Sequence, residues 1–339
     1  MASQPSGARR PCRPRPDLLP MRVLLTGSSG WLGRFLAPRL RAAGHDVVGL
    51  DLAPGINTDV VGSVADRALI DQVFAERGIE AVIHAGALHK PDIARYPESA
   101  FFAMNVEGTR NLLEAAAAAG HDRFVFTSTT SLMITDGIRA GKAGGAAEAV
   151  WLDEEFAPLA PRNVYGLTKL EAERLCRRVH DAHGLAVAVL RTGRFFPEED
   201  DTHRDLSGPN IKANEFLNRR LTVEDAAEAH LVALEKAPAL GFETFILSAP
   251  PPFSRDDAAE LIADAPAVIA RSFPDAADLY ARAGWSLPAS IERVYDPSRA
   301  ERLMGFRCRT DFAAVLDAVR DDAPLPFAHD PSYVSPKET

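Results

Sequence analysis

Cysteine is scarce in this chain: Cys12, Cys176 and Cys308 are the only three in 339 residues, too scattered to pair or to share a metal. A disulfide-built secreted domain is therefore excluded as the organising principle, and so is a thiolate metal centre. A reducing, cytoplasmic compartment is the expectation. His180 and His183 lie three apart with no third ligand nearby, so no metal site is expected. Long apolar runs are missing as well, and nothing approaches the length needed to span a bilayer. Basic charge is the third shortage. Lys and Arg number 38 against 47 Asp and Glu, for a net charge of -9. Residues 1–20 hold Arg9, Arg10, Arg13 and Arg15 against Asp17, a local +3, so the rest of the chain carries -12 of that total. Such a body is a poor surface for nucleic acid.

What remains is an ordinary globular composition, 46% apolar and 25% charged, at a length suited to about two domains. Residues 1–20 are rich in Arg, Pro, Ser and Gly and lack an apolar core. They do not read as a secretory signal and are expected to be disordered. Met21 stands directly before the first strand.

The first half carries a phosphate-binding pattern. An apolar strand at 22–25 runs into Thr26-Gly27-Ser28-Ser29-Gly30-Trp31-Leu32-Gly33, and a helical pattern follows over 35–43. Gly27 permits a tight turn, Gly30 lets backbone approach a pyrophosphate, and Gly33 allows close helix–strand packing. Ser29, Trp31 and Leu32 sit where the helix N-terminus offers N–H groups and positive dipole to the phosphates. A second strand at 46–50 ends at Asp51, followed by Leu52 and no arginine. A carboxylate there accepts ribose hydroxyls and repels a 2′-phosphate, which favours NAD over NADP. Val64 lies where a side chain could meet the adenine. Ala85-Gly86-Ala87 follows a buried-type strand at 81–84, and small residues at a strand end admit a cofactor. His89 and Lys90 come next, at the substrate mouth or in a solvated loop. A long helix is predicted over 97–119, with Asn105 inside it.

Downstream, a strand at 124–126 leads into five hydroxyls, Thr127-Ser128-Thr129-Thr130-Ser131. A helix is predicted over 164–183, and it opens with Tyr165 and Lys169 four residues apart on one face. An ammonium beside a phenol lowers the phenol's pKa, so that the phenolate can take a proton from a substrate hydroxyl.

The TGxxGxxG turn, the hydroxyl cluster and YxxxK in this order resemble the extended short-chain dehydrogenase/reductase family, its NAD-dependent epimerase/dehydratase group. The resemblance spans roughly residues 21–320 and includes His84-Ala85-Gly86-Ala87, Asn105-Val106-Glu107-Gly108-Thr109 and Val223-Glu224-Asp225-Ala226-Ala227. It implies a Rossmann-type doubly wound parallel sheet with a small C-terminal substrate-binding domain. The implied division is 21–192 plus 222–249 for NAD and 193–221 plus 250–325 for substrate, with 326–339 a tail. It implies Tyr165 as catalytic tyrosine, Lys169 as its lysine and holder of the nicotinamide ribose, and Thr129 as the catalytic hydroxyl, with Ser128 the fallback. Asn105 is implied at the cofactor. A homodimer through the helices at 97–119 and 164–183 is implied too.

The departures from the family narrow the function. Its dehydratases carry Asp-Glu after the catalytic hydroxyl residue, whereas Thr130 and Ser131 stand here. Its nucleotide-sugar enzymes carry a long insertion where this chain has only residues 194–220, with the acidic run 198–201 among them. The expected activity is NAD-dependent oxidation of a hydroxyl on a small sugar or sugar acid. Nucleotide-sugar epimerase is the alternative, and a non-catalytic NAD-binding regulator is the alternative of another class. Ser128, Thr130, His89 and Arg194 are the candidate substrate contacts, with Asn210, Lys212 and Asn214 as further possibilities for a carboxylate or polyol. Residues 140–150, rich in Gly and Ala, read as a flap without regular structure.

Overall fold

The computed structural model describes residues 19–198 and 205–336. The expected disorder of the N-terminal tail, Cys12 and most of the acidic run at 198–201 thus lie outside the described residues.

Seven parallel strands form the central sheet in the order β3-β2-β1-β4-β5-β7-β8. They are β1 (Arg22–Thr26), β2 (Asp46–Asp51), β3 (Val60–Val61), β4 (Ala81–His84), β5 (Phe124–Thr129), β7 (Val187–Thr192) and β8 (Phe242–Leu247), while β6 (Val150–Leu152) lies elsewhere. The central strands are apolar runs because helices cover both of their faces. Within β5, Val125 packs into one core, while Phe124 and Phe126 pack into the other. Helices α1 (Trp31–Ala42) and α8 (Val223–Leu240) cover the first face. On the second face lie α2 (Arg67–Arg77), α4 (Gly108–Ala118) and α6 (Val164–His183), with the short α3 (Glu98–Phe101) just before α4. The strand order reverses between β1 and β4, so a crevice opens at their carboxyl ends, where such sheets bind ligands.

The expected helix at 97–119 is interrupted. Phe102–Glu107 is a π-helical turn between α3 and α4, and it turns the buried Asn105 toward neighbouring backbone. β5 runs three residues further than expected, through Thr129. α6 matches its expected bounds and starts on Asn163, whose side chain accepts from Gly166 N at 3.0 Å. Its end is not free surface: His180 Nδ1 bonds Leu185 O at 2.8 Å.

A second core gathers α9 (Ala258–Ala263), α10 (Ala265–Ser272), α11 (Ala276–Arg282) and α12 (Phe312–Arg320) around Phe216, Leu261, Tyr280 and Phe312. The patternless flap expected at 140–150 is folded onto this unit. It runs from the end of α5 (Asp136–Ala140) through a 3-10 turn, Gly141–Gly144, into β6, which pairs in parallel with β9 (Arg293–Tyr295). Strands of three residues are too short to show alternation in sequence. Trp285 and Tyr295 are packing groups: the first meets Tyr280 edge-on at 5.4 Å, and the second is buried with Leu152 and Leu170. Among the described residues no helix is long and apolar enough to cross a membrane.

One buried histidine links the fold to pH. His230, on α8, is fully buried, with Nδ1 2.7 Å from Ala226 O and Nε2 2.8 Å from Thr127 Oγ1. A carbonyl only accepts, so Nδ1 carries the proton and the Thr127 hydroxyl donates to Nε2. Burial pushes the imidazole's pKa down to about 4, against a smaller opposing effect of the Ala226 carbonyl. The folded pKa lies below the unfolded one, so the unfolded chain binds more protons between pH 6.5 and 4, and stability falls as pH drops through that window. About 2 kcal/mol should be lost through His230 between pH 7 and 5. Urea unfolding should show a shallower pH slope in His230→Gln than in the parent; equal slopes would contradict the assignment.

Candidate active site

The crevice at the strand ends is built on glycine. Gly27 has φ 74°, and a Cβ there would stand 2.8 Å from Gly86 N; a Cβ on Gly33 would overlap Gly27 O. Gly27, Ser29, Gly30, Trp31, Leu32, Asp51, Leu52, Ala85, Gly86, Ala87 and His89 all line this cleft, as does Val64. Asp66, two residues on, serves instead as the cap of α2, accepting from Leu69 N at 3.1 Å. Asp51 is oriented by the turn itself: Oδ2 accepts from Ser29 N at 2.9 Å and Oδ1 from Ala53 N at 3.2 Å. Ser29 Oγ is buried at the cleft with no partner among the described residues. A glycine cradle, a free hydroxyl and a carboxylate at the second strand's end suit a dinucleotide with unmodified ribose.

Beside the cleft stand Thr129, Tyr165 and Lys169, all buried. The Thr129 hydroxyl accepts from Ser131 N at 3.1 Å, and it lies near enough to the Tyr165 phenol to favour its ionised form. Lys169 lies one turn along α6, its Nζ 4.0 Å from the centre of the Phe126 ring. Burial pushes Lys169 down to about 7, although Cys176 and Glu173 pull the other way. Burial likewise pushes Tyr165 up to about 12, against the effect of the Thr129 hydroxyl and with Asp92 adding to the rise. The expected depression of the tyrosine pKa is therefore not produced by the protein's own groups, because desolvation dominates both residues.

Several expected contacts are occupied otherwise. Ser128 points to the α6 side of the sheet and donates to Glu173 Oε1 at 2.6 Å, so it is not a second catalytic hydroxyl. Alternation along β5 decides this, since Thr127 faces His230 and Ser128 the opposite side. Thr130 Oγ1 donates to Thr192 O at 3.2 Å, which fixes it to β7 rather than to a substrate. Asn105 does not face the cleft. Its Oδ1 accepts from Leu88 N at 2.8 Å, and its Nδ2 donates to Leu88 O and to Thr168 Oγ1, both at 3.1 Å. It holds the Ala85–Leu88 backbone against α6. Arg194 Nε is 3.2 Å from Glu215 Oε1. Burial pushes the Glu215 carboxyl up, but Arg194, Arg219 and Arg220 together hold it below its ordinary range. Asn210 and Asn214 bond Ser286 backbone, and Lys212 donates to Pro197 O at 2.6 Å.

His89 is at the site: its ring lies 5.7 Å from Tyr165 and 5.4 Å from Phe196. Phe195 and Phe196, stacked at 4.5 Å, also line the cleft, with Thr127, Met104, Ser335 and Pro336. The two phenylalanines follow the carboxyl end of β7, a position that marks them from sequence alone. No sequence signal points to Ser335 or Pro336. A separate cleft on the C-terminal side is lined by Arg139, Lys142, Asn218, Arg219, Ser286 and Glu292.

A parallel sheet with a glycine-cradled crevice and a buried Thr–Tyr–Lys cluster beside it defines a dinucleotide-dependent enzyme class. The profile of the NAD dependent epimerase/dehydratase family matches residues 23–245, and the chain belongs to that family, whose cofactor is NAD. It is 32% identical over 179 residues to UDP-glucose 4-epimerase of Azospirillum brasilense, covering 50% of this chain and 48% of that protein. To L-arabinose 1-dehydrogenase (NAD(P)(+)) of Haloferax volcanii it is 34% identical over 177 residues, covering 51% of this chain and 66% of that protein. The chain thus spans about half the length of the first relative. A short-chain dehydrogenase/reductase superfamily protein from Agrobacterium tumefaciens, solved with bound NAD, superposes with a TM-score of 0.61 at 25% identity, covering 89% of this chain and 97% of that one.

Asp51→Ala should weaken NAD⁺ binding about ten- to a hundred-fold, the worth of a charge-assisted hydrogen bond, and reduce the rejection of NADP⁺. Calorimetric titration with both dinucleotides checks this. An unchanged NAD⁺ to NADP⁺ preference would show that Asp51 does not set it.

Proposed function

We propose that the protein oxidises a hydroxyl of a small sugar or sugar acid that carries no nucleotide. NAD supplies the hydride acceptor when bound, held by the turn Gly27–Gly33, Asp51 and the Ala85–Ala87 backbone. The observation that carries the reading is the burial of Thr129, Tyr165 and Lys169 beside the cleft, with Tyr165 5.7 Å from the ring of the cleft-lining His89 and Lys169 one turn on along α6. Thr129 would hold the substrate oxygen and Tyr165 would take its proton. Lys169, near half-charged at neutral pH, would stabilise the phenolate and hold the cofactor's ribose.

Two features bear on substrate and reaction. Arg194, Arg219 and Arg220 all pair with one buried carboxylate, Glu215, so each guanidinium is already engaged within the protein, although the group keeps a net positive charge. Thr130 is bonded to backbone and Ser131 follows it, which leaves no acid–base pair of the dehydratase kind after Thr129. The likeness to an arabinose dehydrogenase favours oxidation. The likeness to a UDP-glucose 4-epimerase favours the second reading, a nucleotide-sugar epimerase that returns the hydride.

The division into an NAD-binding part and a substrate part around the second core belongs to the same proposal, as does a reducing, cytoplasmic setting. So does a homodimer through the π-interrupted helix and α6, where Phe102 and Leu167 are exposed at 41% and 40%. Sedimentation at micromolar concentration that shows only monomer would remove the dimer.

Incubation with NAD⁺ and a panel of uronates, aldoses and nucleotide sugars separates the two activities. Stoichiometric NADH from a uronate or aldose is the expected result. Reaction of nucleotide sugars alone, without net NADH, would replace dehydrogenase by epimerase. Tyr165→Phe should lower turnover by about 10²–10⁴-fold while NAD⁺ still binds. Full turnover in that variant would refute the mechanism.

A further inference from the structure

Residues 327–336 lead back to the cofactor cleft. Phe327 is anchored in the second core, stacked on Phe216 at 5.5 Å. The segment then leaves that core along the loop after β7. Lys212 Nζ donates to His329 Nδ1 at 2.7 Å, and Asp330 N donates to Pro197 O at 2.9 Å. Asp330 turns the chain: its carboxylate accepts from Ser332 N at 3.0 Å and Ser332 Oγ at 2.6 Å, and its carbonyl accepts from Tyr333 N at 3.1 Å. Tyr333 meets the Trp31 ring edge-on at 5.2 Å. Ser335 and Pro336 reach the cleft itself, which Gly86 and Asp51 also line.

We propose that residues 327–336 form the outer wall of the dinucleotide site, a strap that closes on NAD and slows its release. The path supports this. The strap runs from Pro197, next to the cleft-lining Phe195 and Phe196, to Trp31, the first residue of α1 at the glycine turn expected to hold the phosphates. It therefore crosses the mouth of the cleft rather than lying beside it. One end is fixed in a hydrophobic core, while the holds that follow include the hydrogen bonds of His329 and Asp330 and the Tyr333–Trp31 ring contact. Segments with few buried contacts open at low free-energy cost, so the strap can lift at Tyr333 without disturbing Phe327. The proposal concerns the cofactor alone and is independent of which alcohol is oxidised.

The test uses the full-length protein and bound NADH, chased from the site by excess NAD⁺ in a stopped-flow instrument. Tyr333→Ala should release NADH about tenfold faster, from loss of the aromatic contact, while Tyr333→Phe keeps the parent rate. Hydrogen exchange supplies a second reading that needs no variant: the amides of 330–336 should exchange more slowly with saturating NAD⁺. An unchanged release rate in Tyr333→Ala, tighter NADH binding in it, or exchange insensitive to NAD⁺ would each overturn the proposal. Tighter binding would mean that the strap occupies the cofactor's own place.

Discussion

The buried carboxylate of Glu173 decides where the reactive helix sits. It receives Arg191 from β7 through Nε at 3.0 Å and a second guanidinium nitrogen at 2.8 Å, and Ser128 from β5 at 2.6 Å. Glu173 lies two turns along α6 from Tyr165 and one from Lys169, on the same buried stripe with Ala172 and Cys176. The clamp therefore fixes the rotation of α6 about its axis, and with it the aim of both reactive side chains. Both charges are nearly inaccessible to water, so losing one partner would leave the other uncompensated, at a cost of about 3–5 kcal/mol. Thr168 adds a second hold through Asn105, which in turn fixes the backbone that admits the cofactor.

The same burial that positions these groups also sets their chemistry. Lys169 and Tyr165 are pushed in opposite directions, to about 7 and about 12, by one cause, desolvation of the charged form. The lysine is thereby brought near its titration midpoint at neutral pH, while the phenol keeps its proton. A pair of titratable groups driven apart by environment is a usual mark of an acid–base site. On stability the lysine acts against the fold: its folded pKa lies below the unfolded one, so the folded state gains relative stability only as pH rises from 7 toward 10.5.

Much of this was legible in the sequence, for identifiable reasons. The glycine turn, Asp51 and the spacing of Tyr165 and Lys169 are local patterns whose geometry follows from one strand–turn–helix unit or one helix face. The hydroxyl cluster was legible as a cluster but not residue by residue. Which of Thr127, Ser128, Thr129 and Thr130 meets Tyr165 depends on where β5 ends and on what packs against each face, and both are tertiary facts. Asn105 was read as a cofactor contact, whereas it bonds Leu88 backbone and Thr168 from within a π-turn that nothing in the helical pattern announces. Arg194 and Lys212 read as possible substrate contacts, whereas Glu215 and the Pro197 carbonyl, remote from the pattern itself, hold them. The C-terminal strap carries no periodicity at all; its position follows from Phe327 and Tyr333 finding partners far away in sequence.

Fold and cofactor thus rest on short-range signals, while the substrate side rests on long-range ones: β6 on β9, and three arginines on Glu215. The central claim is that the Glu173 clamp aims the Tyr165–Lys169 face at a site the cofactor occupies independently. The most direct measurement compares Glu173→Gln with the parent in three quantities: unfolding midpoint, NAD⁺ affinity, and turnover of a substrate found with the sugar panel. A lower midpoint and a turnover reduced at least about tenfold, with NAD⁺ affinity retained, is the predicted result. Parental midpoint and turnover would contradict it.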